Sequence, residues 1–236
     1  ALGSLAFKQR FNTDLDSATE WVNDVFAKAN ELYHAQLNIR LTVGEIYIAT
    51  DSKADAEWDN PSCAKTIDQQ LSLFQQWKAP REYALWHLFD DCFTGGGGTG
   101  LAFMGTICQT PATSFAAGYN AGVSWISREP WRVFAHEVGH NFGADHTFEE
   151  GRGTTGGIMD YGDGRLAGLY QFNSQYRKEP MCDAIDSVAS TCPYMQPYAE
   201  KCGNGLVEDG EQCECADGST SCRFCQQCKF TGGAVC

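Results

Sequence analysis

Long apolar runs are missing from these 236 residues. No stretch approaches the roughly eighteen consecutive apolar residues that read as a membrane-spanning helix. Positive charge is also thin: 17 Lys and Arg stand against 30 Asp and Glu, a formal net charge of -13, and the cations are scattered. Nucleic-acid backbones are bound by clustered Lys and Arg that release counterions, so no nucleic-acid partner is expected. The start at Ala1 lacks the basic-then-apolar order of a secretory leader, and the chain is read as a processed or trimmed extracellular portion. No Asn-x-Ser/Thr acceptor occurs, because Asn60-Pro61-Ser62 is disqualified by its proline. The glycine run from Thr94 to Thr99 has no Gly-Lys-Ser/Thr after it and is a connector, not a phosphate loop.

Histidine is scarce as well, with five in the chain, yet three of them fall inside His136-Glu137-Val138-Gly139-His140-Asn141-Phe142-Gly143-Ala144-Asp145-His146. Two histidines four apart share one face of a helix, so both imidazoles reach one metal from the same side. His146 cannot reach that metal by continuing the helix. Gly143, free to turn left-handed, breaks it and folds His146 back. Three neutral imidazoles leave one tetrahedral position open for water, which is a catalytic and not a closed structural zinc arrangement. Glu137, beside the first ligand and not needed as a fourth, suits a general base. A buried helix with satisfied histidines is the bland alternative, and it gives no reason for the pair Gly143 and His146.

The twelve cysteines are unevenly placed, five in residues 1–192 and seven in 202–236. So dense a tail cannot build an ordinary apolar core and needs cross-links or metal. A zinc ribbon through Cys222, Cys225 and Cys228 lacks a matching second pair, so disulfides in an oxidising compartment are expected. Five cysteines cannot all pair among themselves, so one of the first five is free or bonds into the tail.

Gly157-Ile158-Met159-Asp160-Tyr161 follows the histidine string and resembles the Met-turn of the metzincin zinc peptidases, with Met159 under the three histidines. The run from Cys202 to Cys215 looks like the opening of the disintegrin-like domain that follows the protease in ADAM proteins and snake-venom metalloproteases. The two motifs together resemble the adamalysin or reprolysin arrangement and anchor about residues 130–236. Before them, the match rests on the order of elements and on Gly100–Cys108, which is similar to the family's edge strand.

That resemblance implies an α/β metzincin catalytic domain over 1–196, a twisted mixed sheet with helices and a small irregular lower half. A truncated, disulfide-rich disintegrin-like segment would fill 197–236. It implies a secreted or ectodomain zinc endopeptidase acting on protein or peptide substrates, with His136, His140 and His146 on Zn2+ and Glu137 moving the proton of the attacking water. It also implies strand pairing of substrate with Leu101–Thr106, a Cys108 to Cys192 bridge, and a Ca2+ site drawing on Asn204, Glu208, Glu211 and Glu214 with backbone oxygens near Lys201 and Leu206. Solvated surface charge is the alternative for those acidic residues. A monomer is expected.

Three departures stand against a simple transfer. Thr147 follows the third histidine where adamalysins carry Asp. Tyr161 occupies the position of the zinc-facing tyrosine in astacins and serralysins, and reads as a fifth ligand, a transition-state donor or a wall of the cleft. The tail stops before the family's adhesive loop, and no Arg-Gly-Asp occurs. The alternatives are a catalytically weak adhesion protein that uses the cysteine-rich segment, and an astacin-like or serralysin-like metzincin.

Periodicity supplies the coarse elements. Ser17 to Ala35 reads as an amphipathic helix, Leu37 to Ile48 as a strand leading to a second around Glu45–Ile48, and Ile67 to Trp77 as a helix. Tyr83–Phe89, Gly100–Cys108 and Gly122–Ser127 read as strands, and Pro130 opens the metal helix where its missing N–H costs little. His34 is assigned to a helix C-terminus, His87 to core or surface, and Asp163 to a turn.

Overall fold

The computed structural model describes residues 1–50, 56–77, 83–92, 98–109 and 120–195, and in the cysteine-rich stretch 202, 207, 210–213, 220–223 and 225–231. Contacts divide the chain into two compact units, Ala1–Met195 and Gln196–Cys236.

The first unit opens with Leu2 bridging in parallel to both Ile48 and Phe89, followed by a short helix α1 (Ser4–Phe11) that periodicity did not announce. Helix α2 (Leu15–Leu37) starts at Asp14, whose side chain accepts from Asp16 N–H, and buries Ala18, Val22, Val25, Ala29, Leu32 and Tyr33. It stops at Asn38 in the left-handed region (φ 52°), whose N–H returns to the His34 carbonyl. Helix α3 (Ile67–Gln76) carries a complete capping box between Thr66 and Gln69.

The expected strand from Leu37 to Ile48 does not form. Its first residue belongs to α2, and only Ile48 makes a bridge. Leu41 is held instead by the Asn30 side chain, which accepts from Leu41 N–H and donates to its carbonyl, both at 2.7 Å. Ile39 and Leu41 pack on the core all the same. Alternation records that one side of an extended segment is buried; it does not record whether a neighbouring strand or a side chain satisfies the backbone.

Strand β1 (Trp86–Asp90) runs parallel to β3 (Ala121–Trp125), and β2 (Gly100–Ala102) pairs antiparallel with β3, giving the order β1-β3-β2. Helices cover both faces, because alternate strand residues face opposite ways. Leu88 and Val123 pack with Trp58, Leu71 and Phe74 on one side, while Phe89 joins α2 and the metal helix on the other. The strand expected over Gly100–Cys108 ends at Ala102. Beyond it Gly105 takes φ 65°, and the N–H groups of Gly105 and Ile107 donate to the carbonyls of His140 and Asn141 at 2.8 and 3.1 Å. This segment gives up its ladder to satisfy the open end of the metal helix.

That helix, α4 (Pro130–Asn141), packs on α2 through Phe134 and Tyr33, whose hydroxyl donates to the Ala135 carbonyl at 2.7 Å. The lower half holds a hairpin, β4 (Arg165–Leu166) and β5 (Leu169–Tyr170), turned by Ala167 and Gly168 at φ 53° and 83°, and then α5 (Ser174–Ala189). Disulfides join Cys63 to Cys92 and Cys108 to Cys192, and Cys182 is a free thiol, which accounts for the odd count. The second unit contains a small sheet of β6 (Ser221–Cys222), β7 (Cys225–Gln226) and β8 (Lys229–Phe230), with disulfides Cys202–Cys228 and Cys213–Cys225. Those bonds take Cys225 and Cys228 of the expected ribbon out of any metal role, and Cys222 is disulfide-bonded as well.

Candidate metal centre

Helix α4 delivers the first two imidazoles on successive turns, their ring centroids 4.8 Å apart. Gly143, at φ 88°, breaks the helix, and Ala144 N–H closes the turn onto the Gly139 carbonyl at 2.9 Å. His146 thereby arrives 5.2 Å from His136 and 4.7 Å from His140, measured between ring centroids. One ligating nitrogen from each ring lies within 4.8 Å of the other two.

Carbonyl oxygens fix the tautomers. His136 Nδ1 lies 2.7 Å from the Ile158 carbonyl and His140 Nδ1 2.7 Å from the Ala144 carbonyl. A carbonyl only accepts, so both Nδ1 atoms carry the proton and both Nε2 atoms keep a lone pair. Burial, reinforced by the neighbouring His140, lowers the His136 pKa to about 3. Burial likewise lowers His140 and His146 below the usual imidazole value. Neutral imidazoles are what a metal ligates.

Glu137 is 4% exposed, and its Oε2 is buried without a hydrogen-bond partner. Burial pushes its carboxyl well above the ordinary range. A Cβ at Gly100 would overlap this carboxylate, so β2 passes close to it only because position 100 is glycine. Three neutral imidazoles, two of them with the outer nitrogen engaged by a carbonyl, beside an orphaned carboxylate oxygen, are a donor set that fits zinc.

Met159 is fully buried, and a Cβ on Gly139 would meet its sulfur at 2.6 Å. The same turn binds the loop: Thr147 N–H donates to the Met159 carbonyl at 3.0 Å. Tyr161 is 49% exposed, with its ring 4.8 Å edge-on to His146.

Two residues important to this geometry escape a reading of the sequence. The Asp160 carboxylate accepts from the N–H groups of Gly153, Gly156 and Tyr161 at 2.6–2.7 Å and so clamps the segment after the third histidine. Arg177 of α5 donates to the carbonyls of Asp145 (2.8 Å) and His146 (2.5 Å) and pairs with Glu149. These contacts anchor the loop although Thr147 stands where adamalysins carry Asp. Asp160 sits inside a recognised turn and was findable there; no local signal connects Arg177 to the loop.

His87 is buried in β1, with Nε2 2.9 Å from Ser124 Oγ, away from the triad's ligand group. Asn204, Glu208 and Glu214 lie outside the described residues, as do Lys201, Leu206 and Gly95–Gly97 of the connector. Glu211 is described and lies near Cys202 and Cys228, but those two sulfurs are bonded to each other.

Fold and triad together define a zinc-dependent metallopeptidase mechanism: an α/β sheet with a metal helix, three histidines and a Met-bearing turn. A family model described as "Metallo-peptidase family M12B Reprolysin-like" matches residues 15–204, and the chain belongs to that family. It is similar to "Disintegrin and metalloproteinase domain-containing protein B" of Aspergillus fumigatus, with 29% identity over 98% of this chain and 34% of that protein. It is also similar to "Disintegrin and metalloproteinase domain-containing protein adm-2" of Caenorhabditis elegans, with 27% identity over 95% of the chain and 24% of that protein. A third likeness is to "Zinc metalloproteinase-disintegrin-like brevilysin H2a" of Gloydius brevicauda, with 26% identity over 96% and 55%. The chain spans about a third of the length of the fungal relatives it matches. A solved structure described as "Structure of a chaperone-substrate complex" aligns over 80% of this chain and 33% of that chain at 15% identity and TM-score 0.48, a likeness too slight to add to the assignment.

Proposed function

We propose that residues 1–196 are the catalytic domain of an extracellular endopeptidase that cleaves protein substrates with Glu137 as general base, and that 197–236 open a disintegrin-like segment. The observation that carries the catalytic assignment is the unpartnered Glu137 Oε2, buried in the helix that carries His136 and His140, whose outer nitrogens are already engaged by carbonyls. His136, His140 and His146 would hold zinc. When bound, zinc supplies a Lewis acid that polarises the scissile carbonyl and lowers the pKa of water towards about 7. Glu137 accepts the proton of the attacking water and returns it to the leaving amine. Strand β2 has β3 on one side only among the described residues, so its outer edge suits an extended peptide added as a further strand. Tyr161, exposed and edge-on to the third histidine, serves as a wall of the cleft. The disulfides and the family's reprolysin-like character support an extracellular setting. The chain acts as a monomer in this reading.

Replacing Glu137 with Ala tests the assignment. Zinc content and far-UV circular dichroism should stay as in the parent, while chelator-sensitive cleavage of a denatured protein drops by at least about a hundredfold, the usual contribution of a general base. Near-normal turnover in that variant would rule out the proton-transfer role.

A further inference from the structure

The loop between the third histidine and the Met-bearing turn places an arginine against two rings that touch the third histidine. Arg152 Cζ lies 4.2 Å from the centroid of the Tyr161 ring and 5.9 Å from that of Phe148. Both rings touch the third ligand: Phe148 stacks on His146 at 4.9 Å and Tyr161 meets it edge-on at 4.8 Å. The guanidinium is therefore separated from the metal-binding imidazole by a single layer of rings.

This placement is built, not accidental to a loose loop. Gly151 and Gly153, at φ 118° and 74°, flank Arg152 in conformations that side chains disfavour. Gly151 N–H donates to the Phe148 carbonyl at 3.0 Å, Thr154 N–H to the Gly151 carbonyl at 3.0 Å, and Gly153 N–H to the Asp160 carboxylate at 2.6 Å. The turn is thereby tied to the segment that carries Met159 and Tyr161.

Every carboxylate nearby in the sequence has another partner. Glu149 pairs with Arg177, Glu150 accepts from the Tyr176 hydroxyl at 3.1 Å, Asp145 accepts from His146 N–H at 2.7 Å, and Asp160 takes three backbone N–H groups. Among the described residues no acidic group pairs with Arg152, which is exposed. A ring stabilises the positive charge of a guanidinium but leaves donors for an oxygen ligand. The chain as a whole carries -13, a field that repels acidic peptides, so a cation held at the cleft is the local means of accepting one.

We propose that Arg152 is a specificity-determining residue that binds a carboxylate of the substrate close to the scissile bond. The proposal rests on the peptidase reading above and adds the substrate class to it. Carboxylate is the matched ligand because the planar fork of Arg meets two oxygens at once. The carboxylate has two sources, an Asp or Glu side chain within the peptide or a free C-terminus, and the ligand chemistry is the same for both.

The test uses the zinc-loaded protein and paired peptides. One set, with amidated C-termini, exchanges Glu for Gln at each position flanking the cleaved bond. The other keeps neutral side chains and compares a free with an amidated C-terminus at different distances from the bond. A preference of about tenfold in kcat/KM for the charged member is expected at one position, the scale of one charge-assisted contact. Arg152→Ala should bring the ratio close to one, Arg152→Lys should keep part of it, and Arg152→Glu should turn it towards Lys-bearing peptides, each ratio being taken between paired peptides within one variant. A preference in the first set identifies a side chain and in the second a C-terminus. Equal cleavage of all pairs by the parent protein, or a preference that survives Arg152→Ala, overturns the proposal. If no peptide is cleaved in a chelator-sensitive way, the peptidase reading has failed, and calorimetric binding of the same pairs to zinc-free protein decides the arginine separately: tighter binding of the charged member, lost in Arg152→Ala, upholds it, and equal binding overturns it.

Discussion

Arg177 sets the third metal ligand from 31 residues away in sequence, through two carbonyls and not through the imidazole itself. Its guanidinium is buried against the loop, and its pairing with Glu149 adds a second tether on the same segment. Outer residues of this kind typically affect metal affinity by about ten- to a hundredfold. Arg177→Gln is therefore expected to weaken zinc binding by about tenfold or more in competition with a chromophoric chelator, with Arg177→Lys intermediate. Unchanged affinity in Arg177→Gln, at a lowered melting temperature, would reduce Arg177 to a structural role. His136 and His140 need no such outside help, because Ile158 and Ala144 supply carbonyls to their rings.

At the level of elements, the contact between α3 and β1 contains an electrostatic cost. Asp90, at the end of β1, is fully buried, accepts from Gln70 Nε2 of α3 and from Asp91 N–H, and has its carboxyl pushed up to about 6, chiefly by burial. Trp125 Nε1 donates to Gln70 Oε1 at 2.8 Å, which turns the amide's N–H towards the aspartate. A carboxyl whose folded pKa is raised binds its proton more tightly in the folded state. Its stabilising contribution is complete below the unfolded value of 3.8 and is lost as pH rises through about 6. Two units correspond to about 3 kcal/mol. Unfolding free energies from pH 4 to 7 should fall more steeply for the parent than for Asp90→Asn; parallel slopes would show that Asp90 ionises normally.

Across the whole molecule, two compact units rely on different cohesion. Ala1–Met195 buries apolar side chains on both faces of a sheet. In the described part of Gln196–Cys236 the buried cluster is Cys213 and Cys225, and disulfides take the place of a core. Such a segment gains most from a bound ion, since an ion that binds only the folded form stabilises it by mass action. Calcium through Asn204, Glu208, Glu211 and Glu214 is proposed on that ground and on the resemblance of the segment. Calcium titrated into zinc-loaded protein should protect residues 197–236 from proteolysis, and the double change Glu208→Ala with Glu211→Ala should remove the protection. No heat of binding at about millimolar calcium would leave these carboxylates as surface charge.

The sequence by itself determined the metal centre, because its determinants are local. Helical spacing brings His136 and His140 together, a left-handed glycine returns His146, and the helices over α2 and α3 are written in apolar periodicity. Only the tertiary structure decided how extended segments satisfy their backbones. Residues 39–41 alternate like a strand but are held by Asn30, and the stretch after Ala102 leaves the sheet to cap α4. It also decided which charges meet across distance: Arg177 reaches the His146 loop, while Arg152 lies over the Tyr161 ring once each neighbouring carboxylate has found another partner. A side-chain contact between elements depends on packing geometry, and no window of sequence contains it.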